Sequence, residues 1–254
     1  MRPLIVANLK MNLTSKHTVS LVRNYIKLIK TSKSEIVICP SFTSIPPVFQ
    51  VIKKSKLSLG SQDIFYEQKG AYTGQISSIM LKEYGCKYSI IGHSERRQYL
   101  KESDELVNLK LKAAINASIS PILCIGESLE HRNNRESFTF IENQLRNCIS
   151  DIDKNHVSKV VIAYEPIWAI STTANRKDIT TEDISQMHNF IRNLLKDIYD
   201  MHTASKVRII YGGSVSDQNI AEILKAEYID GVLVGSASLD AKKFSKVVRG
   251  FEKR

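Results

Sequence analysis

The apolar run Val160-Val161-Ile162-Ala163-Tyr164 ends abruptly in one carboxylate, Glu165, and is halted by Pro166. An acid at the mouth of a buried strand, ahead of a loop rich in Ser and Thr, has the placement of a reacting group. Other apolar runs end in the same manner: the first in Asn8 and Lys10, the fourth in His93, the seventh in Gly212-Gly213-Ser214 and the eighth in Gly235-Ser236. Taken singly, each has a plain alternative. Glu165 can pair with a basic neighbour, Lys10 can be a rim charge, His93 a satisfied loop histidine, and Gly212-Gly213 a simple turn. Their joint placement at one end of a single sheet is what favours chemistry.

The pieces complement one another. The glycine pair offers main-chain N–H groups that approach an anion with no Cβ in the way, and a helix expected from about Ser216 adds its positive end. A second short helical start from Ser238 would stand behind Gly235 and Ser236, so the expected anion is a phosphate. His93 lies in Ile91-Gly92-His93-Ser94-Glu95-Arg96-Arg97, where strand passes into helix. Amide N–H groups there favour an accepting, uncharged partner, so the imidazole is expected to be neutral and still able to donate to a carbonyl oxygen. Lysine, neutral imidazole and one carboxylate around a phosphate suit proton transfer next to a carbonyl: the base takes a carbon-bound proton and the donors stabilise the enediolate oxygen. No metal-ligand cluster, serine elbow or P-loop competes in the sequence, so neither a metal nor a cofactor is expected.

Positioning these residues takes a repeating scaffold. Short apolar, β-branched runs recur at Leu4–Leu9, Ile36–Cys39, Leu57–Gln62, Ser89–Gly92, Ile119–Ile125, Val160–Tyr164, Val207–Tyr211 and Gly231–Gly235. Continuous rather than alternating runs fit strands covered on both faces, as in a parallel sheet. Between them lie amphipathic stretches at Thr18–Ile29, Glu105–Ala117, Phe138–Ile149, Ile184–Tyr199 and Asp217–Ala226, with Thr180-Thr181-Glu182-Asp183 supplying a cap and acidic first turn ahead of Ile184. Eight alternations in 254 residues predict an α/β fold of the (β/α)₈ barrel type, one domain spanning 1–254. An open doubly wound sheet would show a Gly-x-Gly-x-x-Gly turn after the first strand, and Asn8-Leu9-Lys10-Met11-Asn12 is not one. In such a barrel the reactive groups stand at the C-terminal strand ends, where every candidate falls.

Composition sets the outer limits. With 43% hydrophobic residues and no Gly/Ser- or Pro-rich linker the chain can bury one large core, and no stretch of about 18 apolar residues could span a bilayer. Met1-Arg2-Pro3-Leu4-Ile5-Val6-Ala7 runs straight into a strand-like stretch without the regions of a secretory signal, so the expected location is cytoplasmic. Cys39, Cys86, Cys124 and Cys148 are far apart and read as reduced thiols rather than as a zinc site or disulfide framework. A net charge of +10 raises nucleic acid as a partner. Lys and Arg read as singly spaced among Glu and Asp, with no basic arm, zinc finger or aromatic ribonucleoprotein motif. The expected partner is therefore a small anion, with no nucleic acid and no membrane.

In order and spacing the motifs resemble the triosephosphate isomerase family over essentially the whole chain. The matching segments are Asn8-Leu9-Lys10-Met11-Asn12, Gly60-Ser61-Gln62-Asp63, Gly70-Ala71-Tyr72-Thr73-Gly74-Gln75, Ile91–Arg97, Cys124-Ile125-Gly126-Glu127, Ala163–Ala169, Tyr211–Val215 and Asp230–Gly235. The resemblance implies a TIM barrel that interconverts dihydroxyacetone phosphate and D-glyceraldehyde 3-phosphate. It assigns Glu165 as the base shuttling a proton between C1 and C2, and His93 as the electrophile, a pairing well established for this family. Lys10 would stabilise negative charge, Asn8 would position the ligand, and Glu95 would anchor the site around Lys10. Substrate and phosphate contacts fall to Asn8, Lys10, Ser171, Gly213, Ser214, Gly235 and Ser236. A lid from Pro166 to about Thr180 would fold over the substrate and exclude water. The loop Gly70–Ser77 would enter a second subunit, carrying Thr73 toward the site around Asn8, Lys10 and Glu95 of the partner subunit and making a two-fold dimer.

The chain departs from the family pattern in three places. The lid reads Ala169-Ile170-Ser171-Thr172-Thr173-Ala174-Asn175-Arg176-Lys177-Asp178, a few residues longer than the common form, with Ser171 where a glycine donates its amide to phosphate. Ser236 replaces the second glycine of a usual pair, and Leu9 replaces a frequent tryptophan. All three spare the reacting side chains and bear on the lid's closed geometry. Two other readings remain open: a sugar-phosphate lyase or aldolase, which would want a Schiff-base lysine inside the barrel or a metal site, and a barrel that only binds phosphates or a protein partner. Intact Asn8, Lys10, His93 and Glu165 argue against the latter.

Overall fold

The computed structural model describes residues 1–170 and 178–252. Strands β1 (Leu4–Asn8), β2 (Glu35–Cys39), β3 (Ser58–Ser61), β4 (Cys86–Ile91), β5 (Ser120–Ile125), β6 (Val161–Tyr164), β7 (Arg208–Tyr211) and β8 (Gly231–Val234) close into a barrel in chain order, all pairs parallel. Around it lie α1 (Ser15–Leu28), α2 (Ile45–Ile52), α3 (Ser78–Glu83), α4 (Ser94–Leu100), α5 (Asp104–Asn116), α6 (Leu129–Asn133), α7 (Ser137–Cys148), α8 (Lys154–Val157), α9 (Thr181–Ile198), α10 (Met201–Lys206), α11 (Ile220–Ile223) and α12 (Ala241–Glu252). The expected strands differ from the observed ones only at their ends.

Successive strand residues face opposite ways, and the two faces feed two separate cores. Leu4, Val6, Val37, Cys39, Tyr88, Ile90, Ile122, Cys124, Val161, Ala163, Ile210 and Leu233 fill the barrel interior, while their neighbours Ile5, Ala7, Ile36, Ile38 and Ile162 pack outward on the helices. With both faces largely dry, most strands are apolar runs; β3, Ser58-Leu59-Gly60-Ser61, and β4, which carries exposed Lys87, depart from this. The inward phase also places the polar residues: it continues from Leu4 and Val6 to Asn8, from Val161 and Ala163 to Glu165, from Ile210 to Gly212 and from Leu233 to Gly235. Where the interior stops being filled with hydrocarbon, the next inward positions form its roof.

Helix ends follow local chemistry. Thr180 caps α9, as the sequence leads one to expect, by accepting from the Asp183 N–H, and the structure adds the reciprocal contact in which the Asp183 carboxylate accepts from the Thr180 N–H. The helix expected from Ser216 does not form there. Residues 217–219 make a turn and α11 has only four residues; the Asn219 side chain accepts from the Ser216 N–H and donates to the Ser214 carbonyl, tying the turn to the loop after β7. Behind β8 the short helical turn is 3₁₀ and spans Ser236–Leu239, beginning two residues earlier than expected. Among the described residues no helix is long and apolar enough to cross a membrane.

Candidate functional site

One hollow over the C-terminal strand ends is lined by Asn8, Lys10, His93, Glu165, Gly212, Gly213, Gly235 and Ser236, with Ile170, Val215 and Leu233 as apolar walls. Eight polar or glycine positions from β1, β4, β6, β7 and β8 thus meet in one place. Ser214 stands just outside the lining, its carbonyl bonded to Asn219. Ser171 lies outside the described residues. Thr73 is elsewhere, at the tip of the exposed stretch 67–75.

Lys10 enters the site on a backbone with φ of 51°, a left-handed conformation that non-glycine residues adopt at a cost. Two contacts hold it there: the Lys10 N–H donates to Asn8 Oδ1 (3.1 Å), and Gln62 Nε2 donates to the carbonyls of Lys10 and Cys39 (2.9 Å each). Its ammonium meets Glu95 Oε1 at 2.5 Å, on the first turn of α4. Nothing local in the sequence marks Gln62 for this role, since its partners lie far off along the chain.

His93 caps α4, and its Nδ1 accepts from the Glu95 N–H at 3.2 Å. A nitrogen that accepts an amide proton carries none of its own, so the imidazole proton sits on Nε2. The Glu95 carboxylate, 3.6 Å from Nδ1, is taken up by Lys10. Nε2 faces Glu165 Oε1 at 3.3 Å, and Glu165 Oε2 accepts from the Ser94 N–H, also at 3.3 Å. Glu165 is 2% exposed, and glycine flanks it on two sides: a Cβ on Gly126 would sit 1.8 Å from the Glu165 carbonyl oxygen, and one on Gly212 would sit 2.8 Å from its Cγ. Arg97 fixes the strand-to-helix passage by donating to the Gly92 carbonyl (2.8 Å) and pairing with Asp104 (2.6 Å). Arg96 ties α4 to a buried cluster in which Lys110 meets Asp63 (2.8 Å) and Glu102 (2.5 Å).

Beneath the turn Ile167–Ala169 lies a carboxylate, Glu127, to which the sequence assigns no function. Glu127 is fully buried, and its Oε1 accepts from Trp168 Nε1 (2.7 Å) and Tyr164 Oη (3.1 Å), while burial pushes its pKa above the ordinary carboxylate range. Arg132 lies 4.0 Å over the Trp168 ring. Glu165 and Pro166 are thus followed at once by a turn, Ile167–Ala169, locked to the barrel.

A parallel eight-stranded barrel whose roof combines a buried carboxylate, an Nε2-protonated imidazole, a lysine and glycine amides has the groups that acid–base chemistry on a small anionic carbonyl compound requires. The triosephosphate isomerase pattern matches residues 3–251. The chain is 46% identical over 247 residues to the triosephosphate isomerase of Thermoanaerobacter pseudethanolicus, covering 97% of this chain and 98% of that one. It is 46% identical over 249 residues to that of Endomicrobium trichonymphae, covering 98% of each. A crystal structure of the Bartonella henselae triosephosphate isomerase superposes with a TM-score of 0.89 at 33% identity, covering 99% of this chain and 100% of that one. The chain belongs to the triosephosphate isomerase family and is an isomerase.

Proposed function

We propose that Glu165 is the proton-shuttling base of the reaction that family membership assigns to this chain, interconversion of dihydroxyacetone phosphate and D-glyceraldehyde 3-phosphate. The observation that carries the reading is the approach of the Glu165 carboxylate to His93 Nε2, 3.3 Å, in a pocket shared with Lys10 and the glycine loops. A carbon-bound proton passes to the carboxylate and the electron pair moves onto the carbonyl oxygen. The Nε2–H of His93 and the Lys10 ammonium stabilise the enediolate, and the carboxylic acid returns the proton to the neighbouring carbon. Both contacts to Glu165 are at the long end of hydrogen bonding, which leaves the carboxylate free to turn toward substrate. Main-chain N–H groups at Gly213, Ser214, Gly235 and Ser236 hold the phosphate, and Asn8 and Lys10 close the other side. In D₂O this route puts solvent deuterium on the reacting carbons, because the protonated base exchanges with water; unlabelled product would point to a hydride shift instead.

A two-fold dimer completes the reading. The 67–75 stretch stands exposed yet braced, with Gly70 at φ 146°, Gly74 at φ 88° and the Tyr72 ring tilted against Phe65, which in turn packs on Tyr66. Met11, beside Lys10, is 95% exposed, a large apolar side chain that a partner's loop would cover. Specific activity should fall on dilution as subunits separate, and full turnover by monomers would contradict this. All four cysteines are buried and free, which suits a reducing compartment, and we assign the enzyme to the cytoplasm on that ground.

A further inference from the structure

Residues 1–62 hold ten Lys and Arg against one acid, Glu35, whereas the other 192 residues hold 26 against 25. The even interleaving read from the sequence therefore fails in one region, and nearly all of the +10 belongs to β1, α1, β2, α2 and the turns between them. A surplus arising from composition alone would be spread around the ring. The fold instead gathers six of these ten bases on one edge. Lys27 and Lys30 lie at the end of α1 and Lys33 two residues before β2; Lys53 and Lys54 follow α2, and Lys56 precedes β3 by two residues. All six are exposed, α1 packs along α2, and among the described residues none of the six makes an ion pair. Lys53 covers the Phe49 ring. The two nearby acids are occupied, Glu35 by Arg208 and Tyr88, and Glu252 by the Ser32 hydroxyl and the Lys33 N–H.

Two simpler roles fall short. Cations complement the negative end of a helix, worth about 0.3–1 kcal/mol each, but Lys33 and Lys56 lie beyond both helices. Steering of an anionic substrate fails on distance. These lysines are at the N-terminal strand ends and the pocket at the C-terminal ends, a separation of about 16 Å along a strand, or roughly two Debye lengths at physiological salt.

We infer that this edge binds the phosphate backbone of a nucleic acid without reading its bases. Lysines are compact point charges suited to phosphate contact, and no exposed aromatic or large apolar side chain on α1, α2 or the turns after them is available to stack on bases or to enter a bilayer. The surface is separate from the isomerase pocket and does not depend on its mechanism.

Fluorescence anisotropy with a labelled random-sequence DNA duplex, titrated between about 50 and 200 mM KCl, tests this. The expected plot of log K against log salt is linear with a slope of roughly −4 to −5, at about −0.9 per phosphate engaged. Replacing Lys30, Lys33, Lys54 and Lys56 with Gln should flatten the slope by roughly one per lysine while isomerase activity is retained, and the matching Arg variant should bind as the wild type does. Absence of salt-dependent binding by the wild type, which needs no variant to observe, would overturn the inference. So would an unchanged slope in the folded Gln variant, or tighter binding to phosphatidylserine vesicles than to the duplex.

Discussion

His188 is a buried base whose protonation should govern acid stability. Its side chain is fully buried, Nδ1 lies 3.1 Å from the Tyr228 carbonyl, Nε2 has no partner among the described residues, and the ring meets Tyr164 edge-on at 6.1 Å. Burial, with the Arg192 charge adding to it, pushes its pKa down to about 4 from an ordinary 6.5. Between those values the unfolded chain binds a proton at this residue and the folded chain does not, so stability falls as pH drops through the window and returns as pH rises. The full displacement is worth about 3 kcal/mol once pH is below both values, and about 2 kcal/mol is already felt at pH 5. His188→Gln keeps an N–H for the Tyr228 carbonyl and removes the titration. Urea unfolding of both proteins at pH 7 and pH 5 should show the wild type losing about 2 kcal/mol more than the variant, or roughly 4–8 °C in midpoint temperature. The buried carboxylates Asp63, Glu102 and Glu127 titrate in both proteins and cancel in the comparison. Equal losses in the two proteins would refute the reasoning.

Other consequences concern the parts that aim the site. Trp168→Phe removes a donor from the buried Glu127 carboxylate. Unfolding free energy should drop by about 1–3 kcal/mol and KM should rise as the lid's root loosens; a variant with wild-type stability would show that this bond is idle. Gln62→Ala strips the donor from the Lys10 and Cys39 carbonyls. Two lost bonds of about 0.5–1.5 kcal/mol each should lower kcat/KM roughly tenfold by letting the left-handed Lys10 backbone relax, and a purely thermal effect with kcat/KM intact would contradict that.

The barrel and the residues over its roof were legible because a parallel barrel buries both faces of every strand. Most strands then read as apolar runs, and the end of the run marks the place where side chains meet solvent and substrate. The identity of the residues at those ends, Asn8, Lys10, His93 and Glu165, was enough to suggest the chemistry. The left-handed backbone of Lys10 left no mark in the sequence, since lysine gives no local sign of positive φ, and its brace comes from Gln62, 52 residues away. Glu127 read as a motif residue because its partners Tyr164 and Trp168 belong to a different strand end. The expected helix over Asp217–Ala226 shrinks to the four residues of α11, with 217–219 in a turn that the apolar spacing does not reveal. Charge reads as interleaved residue by residue, yet a count over residues 1–62 already shows ten bases against one acid, and the packing of α1 along α2 adds only where the surplus falls.

The most direct test of the proton-transfer account is the turnover of Glu165→Gln, which keeps the shape of the side chain and removes its basicity. With Ser94 and His93 still in place, kcat for glyceraldehyde 3-phosphate isomerisation should fall by about 10²–10⁴-fold with KM little changed. Turnover within a few-fold of the wild type would mean that another group takes the proton.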